Sequence, residues 1–224
     1  MQQSIQLSVD AVVFGYESGT VSVLLIKRKY EPFKGQWAIP GGFVLNKESL
    51  EEAVQRELKE ETGLEINYLE QLYTFGSPDR DPRNRVVSVA YFGLIKPSAF
   101  KIFASTDAEA VQWFDINELP NLSFDHDSIL KLAINRLQNK MTYEPIGFEL
   151  LDNKFPFSDI EKLYSSLLGR AIDRRNFRKK LLSFNILDEL NEKTSKGSGR
   201  PAKLFKFNKK RYFKLKEEGI IFDI

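Results

Sequence analysis

Six acidic residues fall between positions 48 and 61, and three of them, Glu57, Glu60 and Glu61, are spaced to crowd one turn of a helix. Like charges three and four residues apart repel, so such a cluster either takes up protons or holds a cation. A hard divalent ion, Mg2+ or Mn2+, suits carboxylate oxygens combined with water and phosphate oxygens. An ion of that kind polarises a phosphoryl group and activates water. At about 100° per residue, Leu50, Ala53 and Val54 set an inward face, and the three glutamates are expected to continue it. Gly41 and Gly42 precede them in a turn where backbone approaches a ligand closely. The candidate metal ligands are therefore Gly41, through its carbonyl, with Glu57, Glu60 and Glu61; Glu60 and Glu61 are also catalytic candidates. Glu51 and Glu52 instead suit the dipole of the first helical turn, and Arg56 is expected to tie the preceding loop to the helix through Glu48.

The elements that must position these groups can be read along the chain. A strand over 9–14 and a turn at 17–20 lead into a strand over 21–27. A helix spans 49–62, with Gly63 as its stop. Strands at 69–75 and 86–95 flank the polar loop Ser77–Arg85, and a short strand follows at 110–114. The apolar spacing of Ile129, Leu130, Ala133 and Leu137 predicts a helix over 128–138. Strands and helices mixed in this way fit an α+β sandwich. After the interruption by Pro145, Gly147 and Pro156, helices are expected at 159–168 and 174–184, with a strand pair at 186–190 and 204–207. The division expected is a first domain over 1–145, a linker over 146–157 and a second domain over 158–224.

The run GGFVLNKESLEEAVQRELKEETGL matches GX5EX7REUXEEXGU, where U is aliphatic, from Gly42 to Leu64. A chance match in a chain of this length is on the order of one in ten million at average residue frequencies. With the flanking residues Trp37 to Val44, the run resembles the Nudix superfamily, and within it the branch that handles ADP-ribose. The resemblance implies an α/β/α sandwich and Mg2+-dependent cleavage of a nucleoside diphosphate joined to another group. It also implies a general base outside the box, for which Glu109 and Asp81 are candidates. The loop 79–85 and the stretch Ser123-Phe124-Asp125-His126 are similar to that branch as well. Candidate ligand-binding residues are Arg28, Gly42, Phe43, Arg80, Asp81, Arg83 and Arg85. His126, the only histidine, is expected to pack or to begin a helix rather than to catalyse.

Charge divides the chain. Residues 1–149 hold 15 Lys+Arg against 21 Asp+Glu, while residues 150–224 hold 18 against 10. A basic second domain implies a polyanionic partner. The helix over 174–184 carries Arg174, Arg175, Arg178, Lys179 and Lys180 within seven positions, and with Asn176 these suit the major groove of double-stranded DNA. The glycine-rich stretch 194–203 would bring Lys196, Arg200 and Lys203 to the phosphate backbone or minor groove. Phe177, Leu181 and Leu182 are expected to anchor the helix against Ile160, Leu163 and Leu167. Together with residues 144–148 and 173–180, this arrangement resembles the Nudix-related transcriptional regulators of the NrtR type and related arabinose-responsive repressors. That resemblance implies a C-terminal winged helix-turn-helix and a homodimer. It also implies operator DNA released by a small effector, whether ADP-ribose, another NAD metabolite or a pentose.

The chain contains no cysteine, which excludes disulfides and thiolate metal sites. No apolar run reaches membrane-spanning length, and the N-terminus lacks a signal peptide's basic start and apolar stretch, so a cytoplasmic location is expected. Two functions follow: a DNA-binding regulator whose Nudix domain senses a ligand, or a working hydrolase of ADP-ribose or a similar substrate. The intact box permits the second, and the arginine-rich helix favours the first.

Overall fold

The computed structural model describes residues 4–66, 69–104, 108–194 and 201–219, apart from the side chain of Glu149. The N-terminal sheet is organised around β1, Gln6–Glu17. Its odd residues Val9, Ala11 and Val13 and its even residues Val12 and Phe14 are all almost fully buried, so layers cover both faces of the strand. Two positive-φ residues, Ser18 (54°) and Gly19 (92°), turn the chain into β2, Thr20–Arg28, the backbone twist that favours tight hairpins. β3 (Trp37–Ala38), β4 (Gly41–Phe43), β5 (Glu70–Phe75), β6 (Val86–Ile95) and β7 (Ala108–Asp115) complete one mixed sheet. Its order is β3-β2-β1-β6-β5, with β4 branching onto β1 and β7 onto β2. β1 and β6 run parallel from Gln6/Val86 to Gly15/Ile95.

α1, Leu50–Thr62, is fixed at both ends by its sequence. Ser49 and Glu52 form a reciprocal capping box, and Gly63 ends the helix at φ 74°; losing such an N-cap costs about 1 kcal/mol. Ala53, Val54 and Leu58 pack with Leu64 against Val9, Ala11 and Val13. α2, His126–Tyr143, begins two residues before the expected helix and ends five residues after it.

The chain forms two compact units, 1–136 and 137–224. This division falls earlier than Pro145, inside α2. Residues 146–157, expected as a linker, contain a 3-10 turn at Phe148–Leu150 and β8, Phe155–Pro156. Phe148, Leu150, Phe155 and Phe157 are all buried, so their apolar side chains hold the segment in the second unit. There, α3 (Phe157–Leu168), α4 (Arg174–Ser183), β9 (Leu187–Lys193) and β10 (Lys203–Phe207) build a winged helix-turn-helix with strand order β8-β10-β9. Phe177 and Leu181 are buried, as are Ile160, Leu163 and Leu167. Leu182 is 36% exposed and is not an anchor, because one residue of helix carries it about 100° past Leu181.

A final helix, α5 (Lys209–Glu218), was not anticipated. Only Tyr212 on it is buried, so the apolar stripe that announces a helix is nearly missing. Asn208 caps it, and Tyr212 Oη and Lys216 Nζ both donate to Glu144 Oε1, at 2.8 and 2.7 Å. Burial alone would raise the Glu144 pKa, but these donors and Lys140 hold it below the usual carboxylate range. Among the described residues, no helix is long and apolar enough to cross a membrane.

Candidate functional site

Period-two alternation along β1 places Ser8 and Asp10 on the face opposite Val9 and Ala11. Around them lies a small cavity of about 70 Å3, walled by Arg28, Gly41, Phe43, Arg83, Phe124 and His126 among others. Beneath it is a buried ionic network. Arg80 donates through Nε and Nη2 to the two carboxylate oxygens of Asp125, at 3.0 and 2.8 Å, and through Nη2 to Asp10 Oδ2 at 3.4 Å. Ser88 Oγ donates to the same Asp10 oxygen at 2.5 Å. Two guanidiniums border the cavity above the network. Arg28 lies 4.9 Å from the centroid of Phe124, and Arg83 lies 5.6 Å from Phe43 and 5.9 Å from Phe124. Burial and the charge of Arg83 lower the Arg28 pKa, opposed by Glu61 and Asp81. Two cations facing one polar cavity beside aromatic rings suit an anionic ligand that carries a ring.

His126 is buried as the first residue of α2. Its Nδ1 accepts a hydrogen bond from Ile39 N at 2.9 Å, and its Nε2 faces Asp10 Oδ1 at 3.6 Å. This is a packing role, as expected. Burial lowers its pKa, with Asp10 opposing. The neutral imidazole is therefore the folded form, and its stability contribution is complete above the unfolded value of about 6.5. It is lost as pH falls from there toward the lowered folded value. Urea denaturation between about pH 7.5 and 5 should show stability falling in the wild type and a flatter profile in His126→Asn, which keeps the acceptor. Superimposable profiles would remove this assignment.

The acidic helix differs from expectation at one residue. Glu61 is buried and its Oε2 accepts from Gly41 N at 2.8 Å. The Glu57 side chain is 15% exposed, but that of Glu60 is 57% exposed. At 100° per residue, Glu60 stands about 120° round from Val54, and Leu58 takes the inward position. Arg56 gathers the charges. It donates to Glu48 through Nε and Nη2 at 2.9 and 2.6 Å, and through Nη1 to Glu57 at 2.8 Å and Glu60 at 3.2 Å. Its hydrogen bonds, with that from Leu45 N, hold Glu48 down at a pKa of about 2. Burial raises the Glu57 pKa, with Arg56 opposing and Glu60 and Glu48 adding to the rise.

The chemistry of these donors suits a hard cation. Their arrangement does not: among the described residues no three carboxylate or histidine side chains converge to hold an ion. Arg56 takes one oxygen of Glu57 and one of Glu60, and Gly41 N–H takes one from Glu61.

The two candidate bases stand elsewhere. Glu109 pairs with Lys27 at 3.1 Å on the exposed surface of β7 and β2 and does not line the cavity. Asp81 does line it, but accepts from Arg83 N, Nε and Nη2 at 2.7 to 3.0 Å. Burial would raise its pKa, and these donors outweigh burial and lower it. Arg85 Nη1 donates to the carbonyls of Ser77 and Val86 and braces the loop without lining the cavity. Asp10, Ser88 and Phe124, which sequence reasoning did not select, complete the site.

In the second unit, Arg174, Arg175, Asn176, Arg178 and Lys179 are exposed on α4, and Lys180 is half-buried. Asp173 caps this helix through Arg175 N and Asn176 N, and Asn176 Nδ2 returns a bond to Asp173 Oδ2 at 2.8 Å. Lys203 is paired with Glu189 across β10 and β9. Lys196 and Arg200 lie outside the described residues.

Residues 5–133 match the NUDIX domain, and residues 147–207 match the NrtR DNA-binding winged helix domain. The chain is 32% identical over 205 residues to an ADPR responsive transcriptional repressor of Acinetobacter baylyi, covering 90% of this chain and 81% of that protein. It superposes on NrtR of Shewanella oneidensis, solved with a 27mer DNA, at a TM-score of 0.75 and 32% identity, covering 92% and 95% of the two chains. The Nudix domain of that NrtR, solved with ADP ribose, matches at a TM-score of 0.56 and 36% identity, covering 61% of this chain and 90% of that one. Hydrolases of the Nudix family generally use divalent metal ions, but the winged helix sets this chain apart from a lone Nudix domain. The chain belongs to the NrtR family of Nudix-related transcriptional regulators.

Proposed function

We propose that this chain is a ligand-responsive repressor, with operator DNA held by its winged helix and released when ADP-ribose enters the Nudix cavity. The observation that carries this reading is the pairing, in one chain, of a cavity flanked by two arginines with a helix of exposed cations. Arg28 and Arg83 suit the pyrophosphate of the effector, and Phe124 and Phe43 suit its rings. At about 70 Å3 the cavity is far smaller than the several hundred Å3 of sites for ligands of this size. Arg83, whose side chain is 41% exposed, must therefore swing off the two rings as the ligand enters. The protein acts in the cytoplasm as a homodimer, since paired winged helices match the two half-sites of an operator.

A ligand weakens DNA binding only if it favours a conformation that holds DNA less well. Fluorescence anisotropy with a duplex from upstream of the chain's own gene measures this. Saturating ADP-ribose should weaken binding by about 10- to 100-fold, and Arg83→Ala should shift the response to higher ADP-ribose without altering DNA affinity. An effect from a pentose but not from ADP-ribose would reassign the effector, and no specific binding at physiological salt would end the repressor reading. Hydrolysis is the lesser reading. The complete box favours it, but Glu109 lies outside the cavity, Arg83 engages Asp81, and Arg56 and Gly41 N–H engage the three glutamates.

A further inference from the structure

The cations of α4 do not share one task, and their positions around the helix separate them. Phe177 and Leu181 mark its buried side. Arg175 and Lys179, four residues apart, each stand about 200° from Phe177. Among the described residues neither head group has a hydrogen-bond or ion-pair partner. Lys179, but not Arg175, also lines a cleft of about 440 Å3 together with Arg170, Asp173, Asn176, Phe177 and Lys180.

Arg178 stands only about 100° from Phe177 and turns back on its own domain. Its guanidinium carbon lies 4.3 Å from the ring centroid of Phe157 and 5.7 Å from that of Phe205. Both rings are nearly fully buried and meet edge-on at 5.8 Å. Phe157 opens α3 and Phe205 lies on β10. One side chain on α4 thus bridges the helix α3 and the strand β10. Stretching Arg178 toward a groove would uncover both rings. Arg174 approaches Glu161 of α3 at 3.9 Å with its side chain 82% exposed, and Lys180 lies 5.8 Å from the ring of Phe184, the C-cap of its own helix.

Resting on the reading that α4 meets DNA, we infer that Arg175 and Lys179 form its DNA contact ridge, and that Arg178 is a positioning residue that fixes α4 against Phe157 of α3 and Phe205 of β10. The test compares Arg175→Ala, Lys179→Ala, Arg178→Ala and Arg178→Met in the full chain, titrated with the upstream duplex at several salt concentrations. Melting temperature is recorded alongside. A lost phosphate contact lowers the slope of log affinity against log salt by about 0.9. That drop is expected for Arg175→Ala and Lys179→Ala. Arg178→Ala should keep the wild-type slope, bind about fivefold more weakly at every salt concentration, and melt lower. Arg178→Met keeps a flexible thioether on the rings and should return affinity to within about twofold of wild type.

The inference falls if both Arg178 variants bind equally weakly with a reduced slope, or if Arg178→Ala binds and melts like the wild type. If Arg178→Ala does not fold, Arg178→Met alone decides. Near-wild-type affinity and slope uphold the positioning role; weak binding with a reduced slope overturns it. A wild type with no salt-dependent DNA binding would end the DNA reading and the contact ridge with it. The melting temperatures would still report whether Arg178 braces the rings.

Discussion

Arg80→Ala destabilises the N-terminal unit by about 3–5 kcal/mol, the cost of removing one partner from a buried ion pair. Arg80, Asp10 and Asp125 have side-chain exposures of 5, 8 and 22%, so Asp10, left behind, cannot reach bulk water without opening the fold, while Asp125 keeps partial access to it. Asp10 keeps Ser88 Oγ and the imidazole of His126, but neither supplies a fixed positive charge. Asp125 loses both hydrogen bonds of a bidentate pair. For a chain of this size, each kcal/mol lowers the melting temperature by about 2–4 °C, so the transition should fall by roughly 10 °C or more. ADP-ribose affinity should fall as well, because the network floors the cavity.

Replacing the whole set separates a charge effect from a packing effect. Arg80→Met with Asp10→Asn and Asp125→Asn leaves no unpaired charge, and it should recover most of the lost melting temperature while ligand affinity stays low. A single Arg80→Ala variant that melts like the wild type would show that the network carries little stability. If Arg80→Met alone, which keeps most of the volume and leaves both aspartates charged, melted like the triple variant, lost volume rather than unpaired charge would be the cause of the Arg80→Ala loss.

This network shows where sequence reasoning reached its limit. The loop 79–85 resembles that of the ADP-ribose branch, and Arg80, Asp81 and Arg83 line the cavity. Charges in a loop ordinarily face water, however, and nothing local reveals that Arg80 turns inward to meet Asp125, 45 positions away. One signal was available at Asp10, an acid inside the apolar run of β1. A buried carboxylate demands a partner, and an arginine is the usual one. The capping box, the Gly63 stop and the strands of the first sheet were legible because each depends on neighbours within a few residues.

Glu60 was misplaced for a related reason. The face set by Leu50, Ala53 and Val54 was extended to all three glutamates, whereas the stripe that continues through Leu58 and Glu61 leaves Glu60 outside. α5 went unread because it has one buried residue and is held by capping and by its bonds to Glu144. The family resemblance supplied the division of labour between the two units. Local patterns supplied the elements, and distant charge pairing escaped both.

Gly41→Ala should be the most damaging change in the glycine pair, although Gly42 is the one the box specifies. A Cβ on Gly41 would stand 2.2 Å from the carbonyl oxygen of Val9 and 3.0 Å from the Asp10 Cα. Both are backbone atoms of β1, which pairs with β4 through Asp10↔Gly41 and Val9↔Gly42. No rotamer relieves that overlap, so the strands must part. The change should also pull Gly41 N–H away from Glu61. On Gly42 the three atoms nearest a Cβ all belong to the Glu57 carboxylate, at 2.3 to 2.5 Å, and that side chain can swing aside. Overpacking against backbone costs about 3 kcal/mol, against about 1 kcal/mol where a side chain yields. The melting temperature should therefore fall by about 10 °C for Gly41→Ala and by about 3 °C for Gly42→Ala. Gly42→Ala should still bind ADP-ribose, more weakly, because Glu57 and the Arg56 cluster are displaced while β4 holds. Equal melting temperatures for the two variants, or a lower one for Gly42→Ala, would mean that β4 does not pack on β1 as closely as described.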